Sequence, residues 1–167
     1  MEVVIDFEYL RGRTNEIIVK ELSIAAANVS DSFRFKSPYP MTPHGSIENG
    51  LNWDDGHIAY SELYTVANEA VAGFAHLYAY GIAKCAFLTE LLSRPILNLQ
   101  DFNCPFPKNF NHKYWCSMSC HKFPHVNCAT KTAHSLFEWL MYHLQTKSYV
   151  QCPKEMTRHN AKFVSAI

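Results

Sequence analysis

The sequence predicts an α/β fold with a mixed sheet, its first three strands antiparallel and then a parallel crossover, flanked by helices. Three observations predict it. Residues 2–37 hold three runs of alternating or β-branched apolar residues, separated by short polar turns. Residues 74–100 read strand, helix, strand, the pattern of a right-handed parallel connection. Residues 129–145 carry apolar side chains at helical spacing.

Each element has its own signal. The first strand covers residues 2–9, within and just before "VVIDFEYL", and "GRTN" supplies the turn after it. "NEIIVKELSIAA" (15–26) is the second strand. "SFRFKS" (32–37) alternates as the third, and the prolines of "SPYPMTP" stop it. Residues 44–58 are a loop containing "WDDGH". Its Asp-Asp-Gly is turn chemistry, although Asp54 or Asp55 could also replace a lost metal ligand. A helix is expected over 61–71 with Ser61 as its cap. "FAHLYAYG" (74–81) is a strand, "IAKCAFLTELLS" (82–93) a helix and "PILNLQ" (95–100) a strand. Residues 101–128 are irregular and rich in Cys and His. The last helix, 129–145, aligns Ala133, Leu136, Phe137, Leu140 and Leu144. No repeat or linker divides the chain. It reads as a single domain over 1–146 and a basic tail over 147–167, with Lys154, Arg158 and Lys162.

Composition narrows the classes. At 48% hydrophobic and 14% aromatic residues in 167, this is a globular chain with enough length for a sizeable core. Lys plus Arg equals Asp plus Glu, 15 each, so any nucleic-acid surface must be local. No apolar run approaches the roughly 20 residues of a membrane span, so no membrane partner is expected. The first apolar stretch contains Asp6 and Glu8, unlike a signal peptide. Six cysteines without a secretion signal point to a reducing compartment, cytoplasmic or nuclear, with thiols free or bound to metal.

Asp6 and Glu8 are two residues apart in a strand and so share a face. Buried acids are costly unless something binds them, and a divalent metal is one such thing. With Asp-x-Glu in its first strand and the order β-β-β-α-β-α-β-α, the chain resembles the DnaQ-like branch of the ribonuclease H fold, the DEDD 3′–5′ exonucleases. The resemblance spans roughly residues 2–145. Where that family's second motif has an Asp, "AYGIAKCAFL" has Lys84. In its third motif, "NCATKTA" has Asn127 at the His and Thr132 at the Asp. Two-metal phosphoryl chemistry needs several carboxylates around both ions. The resemblance therefore implies a catalytically degenerate centre in which Asp6 and Glu8 are vestigial. Lys84 would repel a cation, or would instead pair with Asp6. The alternative is an active exonuclease or ribonuclease that uses magnesium or manganese, with Asp6, Glu8 and a further acid.

"WCSMSCHKFPHVNC" packs Cys116, Cys120, His121, His125 and Cys128 into one short stretch, and these are zinc ligands by type. Their alternative reading is buried reduced thiols and solvated imidazoles. The chain also resembles the Maelstrom domain of the piRNA pathway, a DnaQ-like fold with a Glu-Cys-His-Cys zinc site in place of its exonuclease acids. That resemblance implies a structural zinc held by Glu21, Cys116, His121 and Cys128, with Cys120 and His125 as alternative ligands. Glu21 stands in an apolar strand, and Lys20 points to the opposite face.

Phe102, Phe106, Phe110, Tyr114 and Trp115 alternate with Lys108, His112 and Lys113. Such interleaving suits single-stranded RNA, with Lys108, Lys113 and Trp115 as contacts, or else anchors a loop by its aromatics. By resemblance, the expected partner is single-stranded RNA or a protein of small-RNA, piRNA-type silencing. A protein-interaction scaffold without nucleic-acid binding is the further alternative.

Overall fold

A computed structural model describes residues 1–40, 51–110 and 128–150. It holds β1 (Glu2–Arg11), β2 (Ile17–Ala26), β3 (Val29–Arg34), α1 (Leu63–Val71), β4 (His76–Ala79), α2 (Ile82–Leu92), β5 (Ile96–Asn98) and α3 (Ala129–Val150). The five strands form one mixed sheet in the order β3-β2-β1-β4-β5. The β1–β2 and β2–β3 pairs are antiparallel, while β1–β4 and β4–β5 are parallel. The α/β class, the antiparallel start and the parallel second half are as the sequence predicts.

Alternation along β1 and β2 divides the core into two layers. Val3, Ile5, Phe7, Leu22 and Ile24 face α1 and α2, packing with Leu63, Ala67, Val71, Leu88 and Leu92. Val4 and Tyr78 face α3, packing with Leu136 and Leu140. A smaller cluster of Leu10, Ile18, Leu51 and Trp53 closes the far end of the β1–β2 hairpin.

The register of β1 against β2 shifts between Glu8 and Tyr9. Glu8 faces Glu21 and Tyr9 faces Val19, so Lys20 is the extra residue of a β-bulge. Tyr60 Oη accepts the Val19 N–H at 3.1 Å beside it.

Several boundaries differ from the sequence reading, each for a local reason. The third strand is Val29–Arg34 rather than 32–37, because Ala26 pairs with Val29 across a two-residue turn. The alternation of "FRFK" runs past the ladder, since Phe35 is fully buried but bridges Ile58 instead. Ser61 does not cap α1. A 3-10 turn, Tyr60–Glu62, leads into the helix, and no side chain caps either. β4 and β5 are shorter than expected, and β5 passes directly into a 3-10 turn, Leu99–Phe102. α3 continues through Lys147 to Val150, beyond the expected boundary at 146; the tail from 151 lies outside the described residues.

Two connections place the site. Gly81 has a φ of 97°, which a side chain would strain, and its N–H donates to Asn98 Oδ1 at 3.0 Å. This fixes the exit from β4 and aims the first turn of α2. Ala133, Leu136 and Leu140 are buried on one face of α3, which lays that helix across β1 and β2.

Candidate functional site

β4 pairs with β1 only over Glu2–Val4, so β1 outruns its parallel neighbour. Asp6 and Glu8 lie in this overhang. Asp6 is 0% exposed and Glu8 is 7% exposed. Across the ladder, Ser23 stands opposite Asp6 and Glu21 opposite Glu8. Directly opposed residues share a face, so three carboxyl groups crowd one side of the sheet.

Among the described residues, Lys84 answers Asp6 and Glu8. Lys84, in the first turn of α2, brings its Nζ to 2.6 Å from Asp6 Oδ1 and 3.7 Å from Glu8 Oε1. The same ammonium lies 5.2 Å from the Phe7 ring centroid. Among the described residues Asp6 Oδ2 has no hydrogen-bond partner. Burial pushes the Asp6 carboxyl up, and Lys84 pulls it down without cancelling that effect. Glu8 is pushed up to about 7 by burial first, with Lys84 opposing and Asp6 and Glu21 adding to the rise. Burial pulls Lys84 down, but Asp6 and Glu8 outweigh it, so its pKa stands above the ordinary value. These shifts describe one ammonium outnumbered by carboxyls.

Of the two expected behaviours of Lys84, the pairing with Asp6 is the one found. Magnesium or manganese, as the exonuclease resemblance implies, does not fit this arrangement. Fully buried Asp6 already holds an ammonium at hydrogen-bond distance, and a cation there would meet a like charge. Thr132, at the other expected acid position, donates its backbone N–H to Cys128 O at 3.0 Å in the first turn of α3.

Glu21 is fully buried and meets the start of α3. Cys128 Sγ lies 3.9 Å from its Oε1, and the Thr130 hydroxyl donates to the same oxygen at 3.3 Å. Thr130 Oγ1 is also 2.9 Å from Ser23 Oγ, which in turn donates to Ser32 Oγ at 2.9 Å. The Lys131 N–H donates to Cys128 Sγ at 3.5 Å. Glu21 and Cys128 are thus brought together from positions 107 apart in sequence. A tetrahedral zinc, with Zn–S of about 2.3 Å and Zn–O of about 2.0–2.2 Å, separates two such ligands by roughly 3.6 Å. The donor types and their spacing fit zinc. Cys116, Cys120, His121 and His125 lie outside the described residues. Among the described residues, no group of three or more His, Cys, Asp or Glu is placed to hold a metal.

Lys20, the bulged residue between Val19 and Glu21, turns its side chain to the 53–55 loop. It is 1% exposed, and its Nζ donates to Ser37 Oγ at 2.9 Å, Trp53 O at 2.8 Å and Asp55 O at 2.7 Å. The "WDDGH" loop is therefore held by its carbonyls. Burial first, partly offset by Asp55 and Asp54, brings Lys20 down to about 8. The sequence offered no signal for this role, or for that of Thr130.

Of the expected RNA contacts, Lys108 is exposed at the end of a 3-10 turn, Pro107–Asn109; Lys113 and Trp115 lie outside the described residues. Phe106 is 51% exposed and meets Tyr80 edge-on, whereas Phe102 and Phe110 pack against the layer under α3. A separate open groove lies between the β2–β3 turn and α3, where Ser30 Oγ is 2.6 Å from His134 Nε2. Its lining includes none of Asp6, Glu8, Glu21 or Lys84. Among the described residues no helix is long and apolar enough to cross a membrane.

Compared with protein-family models, curated proteins and solved structures, the chain matches none.

Proposed function

We propose that the chain is a DnaQ-like domain of the ribonuclease H fold, most like the Maelstrom domain, that does not cleave by a two-metal mechanism. Its role is binding, and its partner is single-stranded RNA in small-RNA, piRNA-type silencing. The observation that carries this reading is the Lys84 ammonium, 2.6 Å from Asp6, at the place where the exonuclease resemblance expects another carboxylate. Two-metal cleavage needs carboxylates and cations there, and a lysine supplies neither a ligand nor room for a positive ion.

Other features support the parts. The strand order β3-β2-β1-β4-β5, antiparallel and then parallel, is compatible with a ribonuclease H-like sheet. The approach of Glu21 to Cys128 supports a zinc site completed from 116–127, by Cys116 or Cys120 and by His121 or His125. Such a zinc would be structural. It would tie the start of α3 to β2, so that metal binding and folding are coupled. Exposed Lys108 beside half-exposed Phe106 supports a stacking and phosphate surface that Lys113 and Trp115 would extend. A protein partner in place of RNA is the second reading, and salt-sensitive RNA retention separates the two.

The test combines metal analysis with an RNA assay. Purified protein should contain one zinc per chain, lost with cooperative folding on chelation. Glu21→Gln and Cys128→Ser should both lower that content. Labelled single-stranded RNA should be retained at low ionic strength and should stay intact with magnesium or manganese. Zinc-free wild-type protein sinks the zinc site, and unaltered zinc in Glu21→Gln confines the metal to the Cys/His segment. Processive 3′ shortening that disappears in Asp6→Ala overturns the non-cleaving reading. Absence of RNA retention turns the assignment to the protein scaffold.

A further inference from the structure

We propose that Ser30 and His134 form a hydrolytic pair in the groove between the β2–β3 turn and α3, with neutral carboxylic esters of medium-length acyl chains as the substrate class. This is a second activity, at a site separate from Asp6, Glu8, Glu21 and Lys84.

The fold brings the two side chains together from 104 positions apart, with Ser30 Oγ 2.6 Å from His134 Nε2. That is the contact of a serine nucleophile with its general base. Ser30 is exposed, so its hydroxyl is reachable. Burial pulls the His134 imidazole below its ordinary value, with Glu138 opposing, so the ring is unprotonated near neutral pH.

The hairpin also supplies a donor. β3 is the edge of the sheet. Its doubly bonded pairs with β2 start at Ala26–Val29, which closes the two-residue turn, and recur at every second position. The Phe35 N–H on Lys20 O, at 3.0 Å, keeps that rhythm. Ser30 falls between such pairs, opposite Ala25, so its own N–H points off the edge and away from β2. It is placed to donate to an oxyanion formed beside Ser30 Oγ.

The groove selects the substrate. Its volume, about 630 Å3, is in the range of small-molecule sites. It follows α3 from His134 to Gln145, a rise of about 16 Å. Val29, Phe137, Met141 and Tyr142 make its walls apolar, which suits an extended acyl chain. No lysine or arginine is among the described residues that line it, and Glu138 places a carboxylate there. Phosphodiesters and free carboxylates are disfavoured by that charge, and a neutral ester is not.

The chemistry balances with water as the co-reactant. In the tautomer protonated at Nδ1, His134 Nε2 takes the Ser30 proton as Oγ adds to the ester carbonyl carbon. The carbon–alkoxide bond breaks, and the alkoxide leaves as an alcohol with that proton. Water then gives a proton to Nε2 and adds to the acyl carbon. The bond to Oγ breaks, Oγ takes the proton back, and the carboxylic acid departs.

The test uses the full chain and two probes. The first is an octyl fluorophosphonate, which captures an activated serine with loss of fluoride, located by peptide mass. The second is 4-nitrophenyl octanoate, compared with 4-nitrophenyl acetate. Wild type should take one label per chain, on Ser30, and should hydrolyse the octanoate faster than the acetate. Ser30→Ala, a change at an exposed position, should lose both label and hydrolysis. His134→Gln should slow labelling by at least about 100-fold, the low end for a positioned general base. A structural bond alone would move the melting temperature of these variants and leave labelling absent throughout. Site mapping on wild type needs no variant to fold, so a label that is absent or falls on other residues overturns the proposal. So does hydrolysis that persists in Ser30→Ala, or labelling of His134→Gln at the wild-type rate. Acetate hydrolysed as fast as octanoate overturns the assignment of the groove to the acyl chain.

Discussion

Lys20→Met tests whether the buried ammonium is a working part of the fold. Its Nζ donates to Ser37 Oγ, Trp53 O and Asp55 O, at 2.9, 2.8 and 2.7 Å. Methionine fills much the same space but leaves Asp55 O without that donor, and Trp53 O with the Ser37 hydroxyl at 2.5 Å. A buried acceptor left unmade costs about 1–3 kcal/mol, so the variant should lose roughly 2–4 kcal/mol near neutral pH. The pH dependence is the sharper measurement. The folded-state pKa is brought down to about 8 by burial. An unfolded lysine titrates near about 10.4, so between these values the unfolded chain binds more protons and folding grows more favourable with pH.

From about pH 7 to about pH 9 this linkage is worth roughly 1–2 kcal/mol to wild type and nothing to the variant. Two thiols work in the other direction in both chains. Burial pushes Cys85 up to about 11 and Cys104 up to about 12, so both resist the ionisation that the unfolded chain permits. The stability of either protein alone therefore mixes opposing effects, and the difference between them isolates Lys20. Urea denaturation of both chains at the two pH values gives that difference. A gap that widens by about that amount supports the reasoning, and a gap that is constant or narrows refutes it.

Two further outcomes are expected. Glu8 has a folded pKa of about 7, raised by burial, so wild type loses stability as pH rises from the unfolded value toward neutrality. Glu8→Gln should be close to wild type near about pH 5 and more stable by roughly 2–3 kcal/mol near about pH 8; a variant less stable than wild type at the higher pH would contradict this. Arg94 donates to Val71 O at 3.1 Å and to Phe74 O at 2.5 Å, closing the end of α1 and the turn toward β4. Arg94→Met should lower the urea midpoint by the equivalent of about 1–3 kcal/mol with the slope unchanged, and an unmoved midpoint would show that water replaces both bonds.

The sheet was legible because its strands obey simple periods. β1 and β2 announce themselves by alternation and β-branched residues, and the strand-helix-strand run over 74–100 carries the parallel half. Alternation overran β3, because Phe35, past the last ladder pair, still donates its N–H to Lys20 O at 3.0 Å and packs its ring into the layer of Val19 and Leu22. The α1 boundary was blurred because a 3-10 turn, not a serine cap, starts it. At the site, residue types were readable and pairings only partly so. The sequence leaves Lys84 two options, and the geometry at the end of β4 selects Asp6. Glu21 and Cys128 were linked by resemblance alone; their meeting depends on how α3 lies across β2. The roles of Thr130 and Lys20 were not legible, because their partners are tertiary, the Glu21 carboxyl for one and the 53–55 carbonyls for the other.

The bulge at Lys20 acts on the hairpin as a change of parity. On the Glu21 side, odd-numbered residues of β2 (Glu21, Ser23) face α3 and even-numbered ones (Leu22, Ile24) face α1 and α2. On the other side the assignment is inverted, so that Val19 joins the layer of Leu22 and Ile24 while Ile18 turns to Leu10 and Leu51. Neither half can be shortened or lengthened by a residue alone without exchanging its inside for its outside. Insertions and deletions in this hairpin are thus confined to its ends. Removing the bulged residue would exchange the faces of Glu21 and of every residue on its side relative to Val19 and Ile18.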